Sequence, residues 1–538
     1  MAMEADYVIV GAGSAGCVLA NRLSADPTAS VILIEAGGRD RHPFIHIPAG
    51  FMKLLDHPTI TWRYRTEPDP DSGNRAILYP RGRGLGGSSS INGLAYVRSQ
   101  PEDFDHWAQL GNRGWSYDEV LPYFKRSESW VGGADAVRGA DGPLRVSHQV
   151  ERPPLCEALI EAGTQVGLPR RDDINGRHDG GIGYVQMTRR GRFRASTARA
   201  YLAPVMKRPN LRVVTHAQVR RVLLTGRRAT GIELTRGGPP ERIEAGRAVI
   251  LAAGAVGSPH LLQLSGIGAP EHLGGIGVAV QHALPGVGQN LNDHYIARIS
   301  LTVRNARTVN ERSKGLALLR EVARFALTGD GILAFSASLV HAYAKVLEES
   351  ATADMQLAFA PGSFKAGQLG ELDDFPGLTG GGWQMRPLSR GTLLARSADP
   401  ADAPAIRPRF LSHPTDCRAM VGGLRFLRRI FAAPALADYI GAEFLPGSDV
   451  RSDDELLDYA RQNGSTVYHA SGTCKMGPDP LAVVDERLRV RGLEGLRVVD
   501  ASVMPSVTST NTNSAVIMIA EKAADMIAVD AKAAPAAA

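Results

Sequence analysis

The most restrictive feature of the sequence lies within its first 35 residues, where two apolar runs flank a glycine-rich turn. Residues 6–10 form a short apolar run, Gly-Ala-Gly-Ser-Ala-Gly follows at 11–16, and a helix-like stretch occupies 17–23. A second apolar run at 31–34 ends on Glu35. Strand, tight turn, helix, strand and acid in this order predict a Rossmann-type dinucleotide site.

Each glycine of this turn has a separate physical task. Gly11 permits the turn, Gly13 lets the backbone meet a pyrophosphate, and Gly16 allows the helix to pack closely on the strand. The helix N-terminus adds free N–H groups and the positive end of a dipole. Glu35 is expected to bind ribose hydroxyls, and its charge disfavours the 2′-phosphate of NADP. The sequence has no second unit of this kind, which favours a single bound cofactor.

The distribution of charge and cysteine narrows the class of protein. The net charge is +6, from 61 basic and 55 acidic residues, and the basic residues are scattered. This pattern argues against a nucleic-acid partner and leaves peripheral contact with an anionic membrane surface open. The cysteines show no CxxC spacing, so neither a metal site nor a disulfide framework is predicted; they are Cys17, Cys156, Cys417 and Cys474. With no apolar run long enough to cross a bilayer and no leader pattern at the first residues, we expect a soluble, cytoplasmic protein.

Two glycine-rich blocks carry a family resemblance. Residues 79–98 read Tyr-Pro-Arg-Gly-Arg-Gly-Leu-Gly-Gly-Ser-Ser-Ser-Ile-Asn-Gly-Leu-Ala-Tyr-Val-Arg, and residues 254–268 read Gly-Ala-Val-Gly-Ser-Pro-His-Leu-Leu-Gln-Leu-Ser-Gly-Ile-Gly. Both resemble signatures of the glucose–methanol–choline (GMC) oxidoreductases, most closely the bacterial alcohol, choline and sorbose dehydrogenase-like branch. Residues 286–294 resemble a further family segment, in which His294, like His260 before it, is expected to be structural. The blocks keep the family order from residue 6 to about 525.

The resemblance implies FAD as the cofactor. Some family members tether the flavin through a histidine in the first block, but the corresponding residue here is Ile91, so we expect non-covalent FAD. Together the turn and the resemblance predict cofactor contacts at Gly11, Gly13, Ser14, Ala15, Gly16, Glu35, Ala36, Arg81, Gly82, Leu85, Gly86, Gly87, Ser88, Asn92, Gly93, Val219, Ala253, Asp500, Ala501, Asn511 and Thr512.

The catalytic residues are predicted near the C-terminus. Oxidation of an alcohol needs a base for the hydroxyl proton, and His469 stands in Val-Tyr-His-Ala-Ser-Gly-Thr-Cys-Lys-Met-Gly, which resembles the family's catalytic block. Asn511 aligns with the family's partner position, and Asn513 is its rival. A buried structural histidine and asparagines that cap a helix starting near 514 are the alternative readings. Val467 and Tyr468 are expected to wall the substrate pocket.

Cys474 offers another reading of the same block. Five residues after His469, it could form a Cys–His nucleophile pair, but the sequence shows nothing that would activate the thiolate.

The cofactor motifs are separated in sequence, so the fold must be interleaved. We predict an α/β protein with a Rossmann-type FAD-binding domain at 1–98, 196–300 and 461–530. The substrate-binding domain, at 99–195 and 301–460, is expected to be a mostly antiparallel sheet covered by helices, including one at 416–432. Residues 531–538 are predicted to be a flexible tail.

The predicted activity is FAD-dependent oxidation of an alcohol, with a primary, apolar or aromatic substrate as the first choice. Electrons would pass to oxygen or to a quinone-like acceptor. A choline or sugar dehydrogenase, a hydroxynitrile lyase on the same fold, and a binding protein with a vestigial cofactor are the alternatives. A quaternary ammonium substrate requires a carboxylate and an aromatic cage, which the sequence does not locate.

Overall fold

A seven-stranded sheet is built around the N-terminal strand, which we call the N-terminal sheet. The computed structural model describes residues 3–176, 180–365 and 370–533. The strands lie in the order Leu211–Val214, Val31–Ile34, Met3–Val10, Glu241–Leu251, Arg228–Thr235 and Gln218–Thr225, and Leu496–Val498 pairs with the end of Glu241–Leu251. The first four and Leu496–Val498 are parallel, and Arg228–Thr235 and Gln218–Thr225 add an antiparallel hairpin. The predicted strands at 6–10 and 31–34 are confirmed.

The carboxyl ends of the parallel strands place the predicted cofactor residues at one edge. Gly11, Glu35, Ala253 and Asp500 each follow directly, or within two residues, the end of one of these strands. In an open parallel sheet, ligands bind outside this edge. The fold therefore gathers residues that are up to about 490 positions apart in the sequence.

The first and last helices of the chain pack against each other beside this edge. Ser14–Leu23 follows the glycine turn, and Asn513–Ala533 begins where a helix near 514 was predicted. Arg22 donates two hydrogen bonds, of 2.8 and 2.7 Å, to the fully buried carboxylate of Glu521. Residues 531–533 of the predicted tail continue the last helix, and residues 534–538 lie outside the described residues.

A second sheet, which we call the antiparallel sheet, faces the first across a cavity. Its strands lie in the order Ile440–Leu445, Tyr295–Val303, Gly377–Gln384, Met355–Ala360, Val340–Ala344 and Gly181–Tyr184, with Ser465–Thr466 paired to Tyr295–Val303. Every pairing is antiparallel. The boundary predicted after residue 300 falls inside Tyr295–Val303, because that apolar strand runs on without a break.

The two faces of the antiparallel sheet have different neighbours. Helix Pro414–Phe431, predicted at 416–432, packs on one face, where a side chain at Gly380 would meet the Phe431 ring. A side chain at Gly381 would instead meet Ile296 and Arg298 on the opposite face. Because alternate residues of a strand point to opposite faces, the helices cover one face and the other is left for the cavity.

The remaining elements form smaller units around these two sheets. A five-stranded sheet contains Phe193–Arg194, Gln186–Arg190, Leu144–Ser147, Glu128–Trp130 and Ala95–Tyr96. The two-stranded pairs are Thr61–Arg65 with Leu78–Gly82, Ile267–Gly268 with His282–Ala283, and Thr392–Leu394 with Ala405–Arg407. The other α-helices are Pro43–His46, Pro101–Gln109, Tyr117–Ser127, Pro154–Gln165, Gly254–Leu264, Pro270–Gly275, Val309–Arg312, Gly315–Thr328 and Asp453–Asn463. None of the helices in the described residues has the length and apolar character needed to cross a membrane.

Candidate active site

A cavity of about 1390 Å³ lies between the edge of the N-terminal sheet and the open face of the antiparallel sheet. Sites for single small molecules usually occupy about 300–1,000 Å³. The cavity is therefore large enough for a dinucleotide together with a small substrate. Its walls combine the glycine turn, the first glycine–serine block and the C-terminal residues around 469 and 511.

Most of the predicted cofactor residues line this cavity. The lining includes Gly11, Gly13, Ser14, Ala15, Glu35, Ala36, Arg81, Gly82, Gly87, Ser88, Asn92, Gly93, Val219, Ala253, Asp500, Ala501, Asn511 and Thr512. The exceptions are Gly16, Leu85 and Gly86. A Cβ on Gly16 would lie 1.9 Å from the carbonyl oxygen of Gly11, Leu85 is buried in the core, and Gly86 packs on Ser90. These three shape the backbone behind the wall, and their direct contact with the cofactor stays a prediction.

Two glycines bring the walls together. Gly11 has a φ of +99°, and a Cβ there would lie 2.6 Å from the carbonyl oxygen of Ala252 on the neighbouring strand. Gly87 has a φ of +50°, and a Cβ there would lie 2.7 Å from the Cα of Gly13. The glycine–serine block therefore lies directly across the turn that precedes the first helix.

Glu35 closes the nucleotide end of the cavity. Its carboxylate accepts hydrogen bonds from the backbone N–H groups of Ala12, at 2.9 Å, and Gly37, at 2.8 Å. Burial raises the pKa of this carboxyl group, and the N–H donors oppose the rise. A carboxylate can accept about four hydrogen bonds, so ribose hydroxyls can still donate to it.

The carboxylate of Asp500, predicted as a cofactor contact, is occupied by groups of the protein. Its two oxygens accept four hydrogen bonds within the protein, from the Gly254 N–H, the Ser258 hydroxyl and both the N–H and hydroxyl of Ser502. Four bonds use the lone pairs of a carboxylate. Asp500 thus fixes the turns that carry Ala253 and Ala501 to the cavity wall, and a direct contact with the cofactor stays a prediction.

Four buried polar atoms on the cavity wall lack a hydrogen-bond partner among the described residues. They are Nη2 of Arg81, Oδ1 of Asn511, Nε2 of His260 and Nε1 of Trp383. Buried polar groups are normally hydrogen-bonded, so these atoms are suited to polar groups of bound molecules. Together with the glycine turn and the volume, they fit FAD.

His469 lies at the other end of the cavity in a chain of hydrogen bonds that fixes its tautomer. Nε2 of His294 is 2.9 Å from the carbonyl oxygen of Met385, which can only accept, so this nitrogen carries a proton. Burial lowers the pKa of His294 to about 4, so its Nδ1 is an acceptor. Nδ1 of His469 is 2.9 Å from that atom and must donate to it. The unprotonated nitrogen of His469 is therefore Nε2.

The surroundings of His469 favour its neutral form. Burial lowers its pKa well below 6.5, and the positive charges that His294, Arg81 and His341 can carry act in the same direction. His469 is thus an unprotonated imidazole at neutral pH, as a base must be.

The two asparagines of the C-terminal block occupy different places. Nδ2 of Asn511 lies 3.1 Å from Nε2 of His469 and, with the tautomer assigned above, donates to it. Oδ1 of Asn513 accepts a hydrogen bond from the Ser14 hydroxyl at 2.7 Å, and Asn513 is the first residue of the last helix. The structure brings Asn511 to His469, which favours it as the partner, while its catalytic role stays a prediction.

Asp293 positions the histidines, and sequence reasoning missed it. Its Oδ1 accepts the backbone N–H groups of His469, at 2.8 Å, and His294, at 2.9 Å. Its Oδ2 accepts the hydroxyls of Tyr79 and Thr466, both at 2.7 Å. Asp293 and His294 lie in a segment that resembles the family, but the local spacing gives no sign that they pair with residue 469.

Val467 and Tyr468 lie on the cavity wall, as predicted for pocket residues. The Tyr468 backbone has a φ of +69°, which is unusual for a residue with a side chain. Its N–H donates to the Thr466 hydroxyl at 2.7 Å, and its carbonyl accepts from Arg81 at 3.3 Å. These bonds hold the turn from which His469 projects.

Cys474 is excluded as a nucleophile by its surroundings. Its side chain is fully buried, and burial raises the pKa of the thiol well above 9.0, with the Asp500 charge adding to the rise. A protonated thiol is a poor nucleophile. It does not line the cavity.

Comparisons with known proteins agree with this site. The N- and C-terminal profiles of the GMC oxidoreductase family match residues 5–296 and 387–520. An oxygen-dependent choline dehydrogenase of Photobacterium profundum is 42% identical over 535 residues, 97% of this chain and 92% of its own. One of Sinorhizobium fredii is also 42% identical, over 98% of this chain and 96% of its own.

Solved structures show the same fold along the whole chain. Pyridoxine 4-oxidase from Mesorbium loti has a TM-score of 0.87 and 33% identity, covering 97% of this chain and 98% of its own. An FAD-dependent oxidoreductase from Chaetomium thermophilum has a TM-score of 0.90 and 26% identity, covering 98% of this chain and all of its own. The chain therefore belongs to the GMC oxidoreductase family and is an FAD enzyme that oxidises alcohols.

Proposed function

We propose that the protein oxidises a primary alcohol with an apolar or aromatic body to the aldehyde, with His469 as the base and Asn511 as its partner. The observation that carries the proposal is the unprotonated Nε2 of His469, 3.1 Å from the Asn511 amide on the cavity wall. Bound FAD supplies the acceptor for the hydride that leaves the carbinol carbon.

The hydrogen-bond chain explains how the proton is handled. A substrate hydroxyl that takes the place of this direct bond donates to Nε2 and accepts from an N–H of the Asn511 amide. As the hydroxyl proton moves to Nε2, the Asn511 N–H stabilises the negative charge that develops on oxygen. The bond from Nδ1 of His469 to neutral His294 keeps the ring oriented and spreads its new charge.

The wall near His469 is apolar and aromatic. Trp383 is 3% exposed, and its ring centroid lies 6.1 Å from that of His469. Tyr468, Val467 and the buried Ile296 line the same cavity. Such a wall favours burial of an apolar or aromatic body over the many hydroxyls of a sugar.

Choline oxidation is the second candidate, because relatives named choline dehydrogenases are 42% identical to this chain.

The electron acceptor is a separate question. The names of those relatives contain the word oxygen-dependent, which supports oxygen as one electron acceptor; a quinone-like carrier is the other. The two electron acceptors are distinguished by measuring peroxide release in air and, in parallel, the reduction of an artificial quinone.

Anaerobic mixing of the FAD-loaded protein with single alcohols tests the proposal. Benzyl alcohol and hexanol are expected to bleach the flavin absorbance faster than choline or glucose, because their bodies match the apolar wall. A hydroxynitrile lyase or a protein with a vestigial cofactor would show no bleaching with any alcohol. That result would refute the oxidation, and faster bleaching by choline would refute the substrate class.

The pH dependence follows from the lowered pKa of His469. A base with a lowered pKa stays unprotonated as pH falls past 6.5 and is lost only when pH passes through that lower value. The rate of flavin bleaching at saturating alcohol is therefore expected to be the same at pH 6.5 as at about pH 8. Stopped-flow measurement across this range checks it, and a tenfold loss at pH 6.5 would contradict the assigned base.

A further inference from the structure

One arginine on the substrate side of the cavity has no ion-pair or hydrogen-bond partner in the part of the chain that the structure describes. Arg298 lies in the strand Tyr295–Val303 of the antiparallel sheet, and its half-buried side chain lines the cavity. Among the described residues, its guanidinium makes no ion pair and no hydrogen bond, although many other arginines of the chain form ion pairs with carboxylates. Burial lowers its pKa, and its electrostatic neighbours are the hydroxyls of Tyr468, Tyr459 and Tyr295.

The adjacent strand makes room for this side chain. Gly381 pairs with Arg298 across the sheet, and a Cβ at Gly381 would lie 3.1 Å from Cγ of Arg298 and 2.6 Å from Cδ1 of Ile296. Any other residue at 381 would push both side chains out of place. The glycine thus opens a space along the sheet that Arg298 and Ile296 share with the cavity.

None of the described acidic residues of the cavity wall pairs with Arg298, because each lies at the cofactor edge or binds another group. They are Glu35, Asp56, Asp402 and Asp500. Glu35 and Asp500 are at the cofactor edge and hold backbone N–H groups. Asp56 pairs with Arg63, and Asp402 accepts the Ser397 hydroxyl. The substrate side therefore carries a positive charge without a carboxylate.

The strand also fixes where this charge lies relative to the reaction centre. His294, Ile296 and Arg298 are two residues apart, so their side chains share one face. His294 contacts His469, Ile296 lines the cavity between them, and Arg298 stands four residues, about 13 Å of extended chain, from His294. A small molecule can thus reach Nε2 of His469 with its hydroxyl and Arg298 with its other end.

We propose that Arg298 binds a carboxylate on the substrate, so that the alcohol oxidised by this protein carries an apolar or aromatic body with a negative charge at its far end. The planar guanidinium suits a carboxylate, to which it can donate two parallel hydrogen bonds. The same charge repels a quaternary ammonium group. This inference rests on the proposed function, whose substrate class it specifies.

Matched substrates test the charge preference. We expect para-hydroxymethylbenzoate to have a kcat/KM about 10- to 100-fold above that of para-methylbenzyl alcohol, the contribution of hydrogen bonds to a charged group. Choline and para-trimethylammonio-benzyl alcohol are expected to fall below the neutral alcohol. Equal values for the anionic and neutral alcohols, or a preference for the cations, would overturn the proposal.

Arginine substitutions test the assignment to Arg298. The ratio of kcat/KM for the anionic over the neutral alcohol is expected to fall about tenfold or more in Arg298→Met and to be partly kept in Arg298→Lys. Arg304→Met removes the same charge from an exposed position just after the strand, where the side chain donates to the Ala437 carbonyl, and should keep the ratio. A preference that survives Arg298→Met would refute the assignment.

A binding measurement separates failure of this site from failure of the proposed function. The unreactive para-methylbenzoate is titrated against the FAD-loaded protein by calorimetry, with Arg298→Met and Arg298→Lys as comparisons. Binding that weakens about tenfold in Arg298→Met supports the anion site even if no alcohol bleaches the flavin. Oxidation of the neutral alcohol without binding of para-methylbenzoate refutes the anion site and keeps the proposed function. Circular dichroism confirms the fold of each variant.

Discussion

Replacing His469 by alanine is expected to lower the rate constant of flavin reduction by about 10²–10⁴-fold, the usual contribution of a positioned acid–base group. The hydroxyl proton would then have to leave to water, in a site where Nε2 of His469 is the unprotonated nitrogen held beside Asn511. Single-turnover bleaching of the flavin under anaerobic alcohol measures this rate without interference from product release.

The experiment must show that the lower rate of flavin reduction in His469→Ala comes from the missing base and not from a missing cofactor. FAD content is therefore measured for each preparation, and His469→Ala is expected to retain it, because the nucleotide end of the cavity is formed by other segments. His106→Ala, on an exposed turn of helix Pro101–Gln109, is the matched control and should reduce its flavin at the wild-type rate. A His469→Ala protein with bound FAD and an undiminished rate would exclude His469 as the base.

The N-terminal half of the site could be predicted because its signals are local. The turn, helix and second strand lie within 35 consecutive residues, and Gly11 and Gly16 each answer a steric demand that the structure shows at the same position. Gly11 is an example, since its positive φ and its contact with Ala252 admit no side chain. Local backbone requirements of this kind leave a pattern in the sequence.

The arrangement around His469 could not be predicted in the same way. The hydrogen bond between His469 and His294 joins residues 175 positions apart. Asp293 binds the backbone N–H groups of both histidines, and because nearly every residue has such a group, the contact leaves no signal in the sequence. His294 was expected to be merely structural, and in the structure it determines which nitrogen of His469 is free. Such pairings depend on the tertiary fold, which brings segments distant in the sequence together.

The substrate side left the weakest pattern in the sequence. Arg298 is one basic residue in an apolar strand. The sequence does not show that the described residues around it offer no carboxylate; only the folded structure does. The predicted domain boundary after 300 cut through this strand. Family signatures mark the residues that members share. The proposed specificity residue, Arg298, lies outside those signatures and is recognised only in the structure, as a charge without an ion-pair partner among the described residues.

Replacing Gly13 by valine is expected to weaken FAD binding by about 100-fold or more while the chain still folds, since overpacking of about 3 kcal/mol corresponds to that factor. Gly13 has a φ of −76°, which any residue can adopt. A Cβ there would have only the Ala252 carbonyl oxygen nearby, at 3.9 Å, so the added side chain would project into the cavity. It would occupy the place where the backbone meets the pyrophosphate.

The measurement compares cofactor content and folding in the same preparations. Gly13→Val should be purified nearly colourless, with the circular dichroism of the wild-type apoprotein and a melting temperature that added FAD no longer raises, because stabilisation by a ligand requires its binding. Gly274→Val is the control: this exposed helical glycine has free space around its Cβ position, and the variant should remain fully yellow. Full FAD content in Gly13→Val would show that the pyrophosphate does not approach this turn, and the Rossmann assignment of the cofactor site would fall with it.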